Sequence, residues 1–476
     1  MFKTIWSISW KNIWRNKIRS LVVIISVTLG LFGGMMAVGI MSGWIKQRID
    51  SAIFNEISHI QIHDPEYMNN EDIQHLVKDY TTITKTLDTL TGVKAYSGRS
   101  KSFVMVQSDW AVTGLIVRGI EKESEESISL IKNQLIEGEY FIKDHKIPSI
   151  VIGSKAAEDL KLLNYQISQQ KLEQLNPKFY PVELIAKINK IGQERFRKEK
   201  DFKKALNKEL SSKEMKLYGD ALLKHFSFYR LGAKLTITFT DTAGNILPTV
   251  FRVMGIYKTS NAIFDGTNAF VEAKSWRAET GFKDGQVHEI AIICQDNEKA
   301  FEVSKILKNK FPDLSILTWR EISPDLGYVN DMMKVIDLIY VGIILFALAF
   351  GIINTMLMAV LERSKELGML MAIGMTKSRL FTMIMLESLL LTITGAITGM
   401  ALCAFILSIL SKTGIDFSMW AEGFEALGFS AVVYPIVSAR NYIDITLLVI
   451  ITGIIASLWP ARKALEMNPA DALRTE

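Results

Sequence analysis

Cysteine is nearly missing from this chain. Cys294 and Cys403 are the whole supply in 476 residues. One falls in a strand-like run and the other in a long apolar run, so no disulfide framework is expected. Proline is scarce too, with 10 in all. No Pro/Gly-rich linker divides the chain, and domain borders have to be read from changes of pattern. There is no G-x-x-x-x-G-K-[ST] segment, which excludes a phosphate loop and ATP binding of the usual P-loop kind. The six histidines form no H-E-x-x-H pair, and paired-cysteine metal sites are absent. His59 and His63 flank a strand-like run, where a spacing of four sets them apart along one face, so no metal site is expected. With no catalytic constellation in the sequence, the chain reads as a non-enzyme.

Four long apolar runs are present, at about 21–45, 338–361, 380–410 and 443–459. About 20 apolar residues cross a bilayer core as a helix. The first three runs exceed that, while the fourth is short and begins beside Asp444. The first is too long for a cleavable signal core and reads as an uncleaved anchor. Basic residues set the orientation. Lys3, Lys11, Arg15, Lys17 and Arg19 precede the first run, Arg363, Lys365, Lys377 and Arg379 follow the second, and Arg462, Lys463 and Arg474 follow the fourth. The loop between the third and fourth carries Asp416, Glu422 and Glu425. Both termini are then inside, and the segment from about 46 to 334 is exported. These flanks and one lysine-rich insert account for the net charge of +5 without a nucleic-acid partner.

The exported segment alternates strand-like runs (57–62, 102–106, 112–120, 150–152, 235–240, 251–256, 287–294 and 314–317) with helix-like ones (82–90, 154–162 and 299–310). This predicts an α+β domain with a lobe at 150–284 inserted in the other. Between 164 and 230 strand signals stop and Lys, Glu, Gln and Leu take over. That stretch reads as a helical insertion, either a solvated hairpin or a docking surface for an acidic partner. At the N-terminus Ile5, Trp6, Trp10, Ile13 and Trp14 among basic residues predict an amphipathic helix on anionic headgroups.

Within the apolar runs, Gly30-x-x-x-Gly34 and Gly395-x-x-x-Gly399 permit close helix packing, though glycine is common in such helices. Asn354 is expected to form a helix–helix hydrogen bond. Glu387 lies about two turns into the third run, where a lone charge is expensive. It pairs with Arg379 or with the preceding surface helix, or else stays wet at the interface. Between the second and third runs, Glu362, Arg363, Lys365 and Glu366 open a short amphipathic segment suited to receiving force from a soluble partner.

Three stretches taken together resemble the FtsX-like permease family, the MacB/LolC/LolE class of ABC systems. They are Glu362-Arg363 with Glu366-Leu367-Gly368 and Ala372-Ile373-Gly374; Leu386-Glu387-Ser388; and the C-terminal Pro460-Ala461-Arg462 with Pro469-Ala470-Asp471-Ala472-Leu473-Arg474. The resemblance implies an α-helical membrane protein of the bacterial inner membrane, with four transmembrane helices and an α+β periplasmic ectodomain inserted between helices 1 and 2. The expected layout is a cytoplasmic amphipathic helix at 1–20, helix 1 at 21–45, the ectodomain at 46–334 and helix 2 at 335–361. A cytoplasmic coupling helix and loop at 362–379, helix 3 at 380–410, a periplasmic loop at 411–442, helix 4 at 443–460 and a cytoplasmic tail at 461–476 complete it.

The resemblance also implies partners. Two ATPase subunits would bind ATP and Mg, since this chain carries no cofactor of its own. The second permease would be identical or paralogous. Glu362, Arg363, Glu366, Leu367 and Gly368 would couple to the ATPase, and Glu387 would tie that segment to the bundle. In members that extract lipoproteins, the first two spans frame a lipid cavity, for which Phe32, Met36, Ile40, Tyr340 and Ile344 are the candidates. The leading function is extraction of lipoproteins from the membrane and handover to a periplasmic carrier. The alternatives are MacB-like export of peptides, toxins or drugs, and FtsX-like signalling to a cell-wall hydrolase.

Overall fold

The computed structural model describes residues 2–15, 17–141, 147–176 and 179–466, so the C-terminal motif at 469–474 lies outside the described residues. The chain forms two compact units. One comprises Met1–Gln47, Asp325–Ala421 and Ser430–Glu476, and the other Arg48–Pro324 and Glu422–Phe429.

The first unit is helical. An amphipathic helix, Phe2–Arg15, precedes four helices long and apolar enough to cross a membrane. Span 1 is Lys17–Ser51, span 2 Pro324–Glu362, span 3 Lys377–Thr413 and span 4 Ala439–Leu465. Each overruns its apolar run, because backbone hydrogen bonding continues into polar turns until a capping signal stops it. Ser438 starts span 4 by accepting the Asn441 N–H at 3.1 Å, and Gly414, at φ +71°, ends span 3. Val27, Leu31 and Met35 of span 1 share a core with Leu348, Ile352 and Met356 of span 2. Met383, Ile384 and Leu391 of span 3 and Val449 and Ala456 of span 4 join them.

Lipid is as apolar as leucine, so close packing rather than hydrophobic burial holds such helices together. Both small-residue motifs serve this. A Cβ on Gly395 would lie 2.6 Å from Val27 Cβ and 3.0 Å from the Ile24 carbonyl, and one on Gly399 3.1 Å from the Thr28 carbonyl. On the other face of span 1, Gly30 and Gly34 receive Leu348 and Ile344 of span 2. Thr28 Oγ1 completes the seam with bonds to the Gly395 carbonyl (3.2 Å) and to Thr398 Oγ1 (2.6 Å). Gly395→Val is therefore expected to cost about 1–3 kcal/mol through overpacking, seen as a lower melting midpoint in detergent. Gly33→Val, where nothing lies within 4 Å, serves as the control. Equal midpoints for the two variants would refute the seam. Asn354 departs from expectation: it is exposed on span 2 and has no hydrogen bond among the described residues.

The second unit is α+β. Its strands are β1 (Ile60–His63), β2 (Val93–Gln107), β3 (Val112–Ile120), β4 (Leu135–Gly138), β5 (Ser149–Gly153), β6 (Leu163–Gln166) and β7 (Arg195–Phe196). They continue with β8 (Ser227–Tyr229), β9 (Lys234–Thr240), β10 (Ile246–Tyr257), β11 (Asn268–Glu272), β12 (Glu289–Cys294) and β13 (Ser315–Thr318). Ten form one sheet in the order β13-β1-β12-β2-β3-β11-β5-β10-β4, with β9 pairing β10 and β2. At the end of β2, Val104 and Val106 point in while Phe103 and Met105 point out, as period two requires. Among the buried clusters on the continuous sheet are two large ones. One gathers Ile60, Ile62, Ile83, Leu87, Ile290, Val303 and Ile316, and the other Val104, Leu115, Ile150, Ile237, Phe251 and Trp276. The second core thus draws on β2 and β3, outside the lobe expected at 150–284.

The insertion at 164–230 corrects the sequence reading. Four helices form, at Gln169–Glu173, Val182–Lys190, Glu199–Glu209 and Ser212–Phe226. A small sheet, β7-β6-β8, joins them, its strands too short for alternation to register. Phe202, Leu206, Leu222 and Phe226 give the insertion its own core, so it is no solvated hairpin. The segment Glu422–Phe429, from the loop between spans 3 and 4, also belongs to this unit. Glu425 pairs with Lys258 at 2.9 Å.

A buried ion network crosses the sheet. Arg99 holds Glu125 through two bonds (2.7 and 3.0 Å) and Glu289 through one (2.8 Å). Lys101 also pairs with Glu289. Burial disfavours the Glu289 carboxylate, but Lys101 and Arg99 outweigh it and hold the group below the usual carboxylate range. His63 bonds the His288 carbonyl and Gln61, each at 2.9 Å. Burial lowers both His59 and His63 to about 4.

Candidate functional site

The site is the elbow between spans 2 and 3. Span 2 stops at Glu362 because Arg363 leaves helical geometry, at φ −99° and ψ 16°. A short helix follows, Ser364–Ala372. Gly374, at φ +102°, ends it: its N–H bonds the Met371 carbonyl and the Met375 N–H bonds the Leu370 carbonyl, each at 3.0 Å. This is a Schellman motif, which favours glycine at that position and explains Ala372-Ile373-Gly374 physically. Thr376, in extended geometry, precedes span 3.

A chain of charge–charge contacts locks the elbow. Arg363 Nη1 donates to Glu387 Oε2 at 3.0 Å and its Nε to Glu366 Oε2 at 3.1 Å. Arg15 of the amphipathic helix pairs with Glu366, and Asn12 Nδ2 donates to Glu387 Oε1 at 2.6 Å. Hydrogen bonds from Arg15 and then Arg363 hold the Glu366 carboxyl below the usual carboxylate range, against partial burial. Ser9 adds a bond to the Met383 carbonyl at 3.2 Å. Beside the Arg363–Glu387 pair lies a cavity of about 30 Å³, lined in part by Asn12, Ser20 and Val23, room for about one water. Glu387 is buried rather than wet, and its ionic partner is Arg363, at the head of the surface helix.

Of the residues expected to couple, Arg363 and Glu366 belong to this lock, and Leu367 and Gly368 turn inward, with Leu367 in the bundle core. Glu362 is exposed at the end of span 2. The outward apolar residues are instead Met369 (53% exposed) and Ile373 (79%), one turn apart on the same face. Sequence reading also missed Ser9, Asn12 and Arg15 as partners. The amide of Asn12 among cations and tryptophans was the available signal.

The five candidate cavity residues lie on spans 1 and 2. Phe32 and Met36 pack against the bundle core and Ile344 against Gly34. Ile40 is half-buried and Tyr340 faces outward. Among the described residues no cluster of three or more His, Cys, Asp or Glu is arranged to hold a metal. The elbow's charge contacts fasten the short helix to span 3 and to the amphipathic helix.

Comparison with known proteins gives these features a family. Residues 338–469 match the FtsX-like permease C-terminal family. A stretch of 238 residues is 28% identical to the uncharacterized ABC transporter permease MJ1507 of Methanocaldococcus jannaschii, covering 48% of this chain and 55% of that protein. A stretch of 126 residues is 36% identical to the macrolide export ATP-binding/permease protein MacB of Chlorobium luteolum, 26% of this chain and 16% of that one. The chain thus spans about half the length of the first relative and less of the second. Among solved structures, the periplasmic region of MacB from Actinobacillus actinomycetemcomitans aligns at 11% identity and TM-score 0.30, over 60% of this chain and 97% of that one. Residues 338–469, which hold most of span 2, the elbow, span 3 and span 4, are an FtsX-like permease domain.

Proposed function

We propose that this chain is the membrane subunit of an ABC transporter of the FtsX/MacB type, driven by a separate ATPase that binds ATP and Mg. The observation that carries this reading is the elbow. It is an ion-locked turn between two long helices, with Met369 and Ile373 exposed on one face. The basic flanks support termini and elbow on the cytoplasmic side and the α+β unit in the periplasm. Along span 2, Tyr328, Met332, Val335, Ile339 and Phe346 are exposed at a spacing of four, three, four and seven. This exposed apolar surface suits pairing with a second permease, identical or paralogous.

For the cargo we favour acylated proteins, handed on to a periplasmic carrier. Each acyl methylene leaving the bilayer costs about 0.8 kcal/mol, which a separate engine has to supply. Export of smaller molecules is the second reading, favoured by the sequences similar to macrolide exporters.

The test is Met369→Asp with Ile373→Asp. Both side chains are outward, so the chain should insert and fold while an ABC ATPase copurifying in mild detergent falls about tenfold, equivalent to about 1.4 kcal/mol. Glu366→Lys should weaken copurification as well, by dislodging the elbow from Arg15 and Arg363. Undiminished ATPase recovery with all three changes would count against the proposal. Acylated polypeptide in the same preparation would decide between the two cargo readings.

A further inference from the structure

The insertion and the sheet together form a cleft of about 900 Å³. Its floor is Leu163 and Tyr165 of β6, with Tyr165 stacked on Phe202 at 5.3 Å. One wall is the helix Glu199–Glu209. The other is Lys161 and the tip of the β2–β3 hairpin, which carries Trp110. That tip is fastened: Ser108 Oγ donates to the Leu160 carbonyl at 2.7 Å and accepts the Trp110 and Ala111 N–H groups, each at 3.1 Å. Asp109 pairs with Arg230 at 3.0 Å. The cleft is therefore built into the fold rather than left between loose loops.

Its charge is one-sided. Six cations line it, Lys161, Arg197, Lys198, Lys200, Lys203 and Lys204, against two carboxylates. Both carboxylates are already engaged, Glu199 by Lys203 at 2.5 Å and Glu158 by Lys155 at 3.4 Å. Lys198 sits over the Trp110 ring at 4.5 Å. Among the described residues Lys161, Arg197, Lys200 and Lys204 make no ion pair. Crowded, unneutralised cations in a concave wall concentrate anions.

We propose that this cleft binds an acidic segment of a partner polypeptide. The lysines of the helical wall, with Asn207, spread over about 10 Å of helix at 1.5 Å per residue, so they meet a row of charges rather than one headgroup. Lysines act as point charges, whereas phosphate recognition favours paired arginine forks, and only Arg197 is present. The part of the Trp110 ring that Lys198 leaves open offers an apolar surface for a residue between the acids.

The probe is a short dye-labelled oligoglutamate peptide containing one leucine, titrated by anisotropy against the full chain in detergent at low and at physiological salt. Binding is expected to weaken with salt. It should fall about tenfold in Lys200→Glu with Lys204→Glu and again in Lys161→Glu on the opposite wall, as like charges meet. Lys305→Glu, in a separate 440 Å³ cleft, should bind as the parent does. Three results would overturn the proposal: no peptide binding, equal loss in Lys305→Glu, or protection of these lysines by phosphatidylglycerol vesicles while the peptide fails to bind. The last would assign the cleft to a membrane surface.

Discussion

Arg363→Met is expected to lower the melting midpoint of the detergent-solubilised chain by the equivalent of about 3–5 kcal/mol, the usual consequence of stranding one member of a buried ion pair. Glu387 would then face Leu391 and Val23 with the Asn12 amide as its hydrogen-bond donor and the Arg15 charge acting on it without a direct bond. Adding Glu387→Gln removes the stranded charge, and most of the loss should return. This double-variant recovery distinguishes electrostatics from packing, because the Arg363 side chain is missing in both proteins. A midpoint equal to the parent's in the single variant would mean that solvent reaches the pair. Since Arg363 also bonds Glu366, the single variant should loosen the elbow as well and weaken any stimulation of a bound ATPase.

Glu289→Gln should have a comparable effect in the α+β unit. Arg99 keeps Glu125, but Lys101 loses its ion-pair partner in the interior, and about 3–5 kcal/mol of stability goes with it. Lys101→Met added to the same chain should regain part. The pH dependence has a definite sign. The Glu289 carboxyl is more acidic folded than unfolded. Its contribution is therefore complete above the unfolded carboxylate pKa of about 4.3 and is lost as pH falls toward the folded value. Glu289→Gln should accordingly flatten the acid side of the stability profile. An unchanged acid limb would show that other carboxylates govern it.

Much of the architecture is legible in the sequence because the relevant signals are local. The apolar runs locate four spans, and alternation gives β3 at Val112–Ile120 with its bounds. β11 escaped notice because four of its five residues are buried, which erases the alternation a half-exposed strand shows. The two-residue β7 is shorter than any periodicity. The elbow could be found from its mixed charge, but not which of its residues face outward. Leu367 and Ile373 are equally apolar on paper, and only packing against Leu380 and its neighbours distinguishes them. The N-terminal partners of Glu366 and Glu387 were hidden for another reason. Arg15 lies 351 residues from Glu366, and Asn12 lies 375 from Glu387, so no window along the chain contains both members.

Span 2 runs as one helix for 39 residues, from Pro324 to the edge of the elbow, or about 58 Å at 1.5 Å per residue. Its two ends consequently share a single angular phase. One extra residue in the middle would turn everything beyond it by about 100°, swinging Tyr328 and Met332 away from the face they occupy while the elbow stays still. Seven extra residues would return the face to within about 20°. The rod is therefore tolerant of length in whole heptads and intolerant of single steps, like a driveshaft whose splines fit only at certain clock positions.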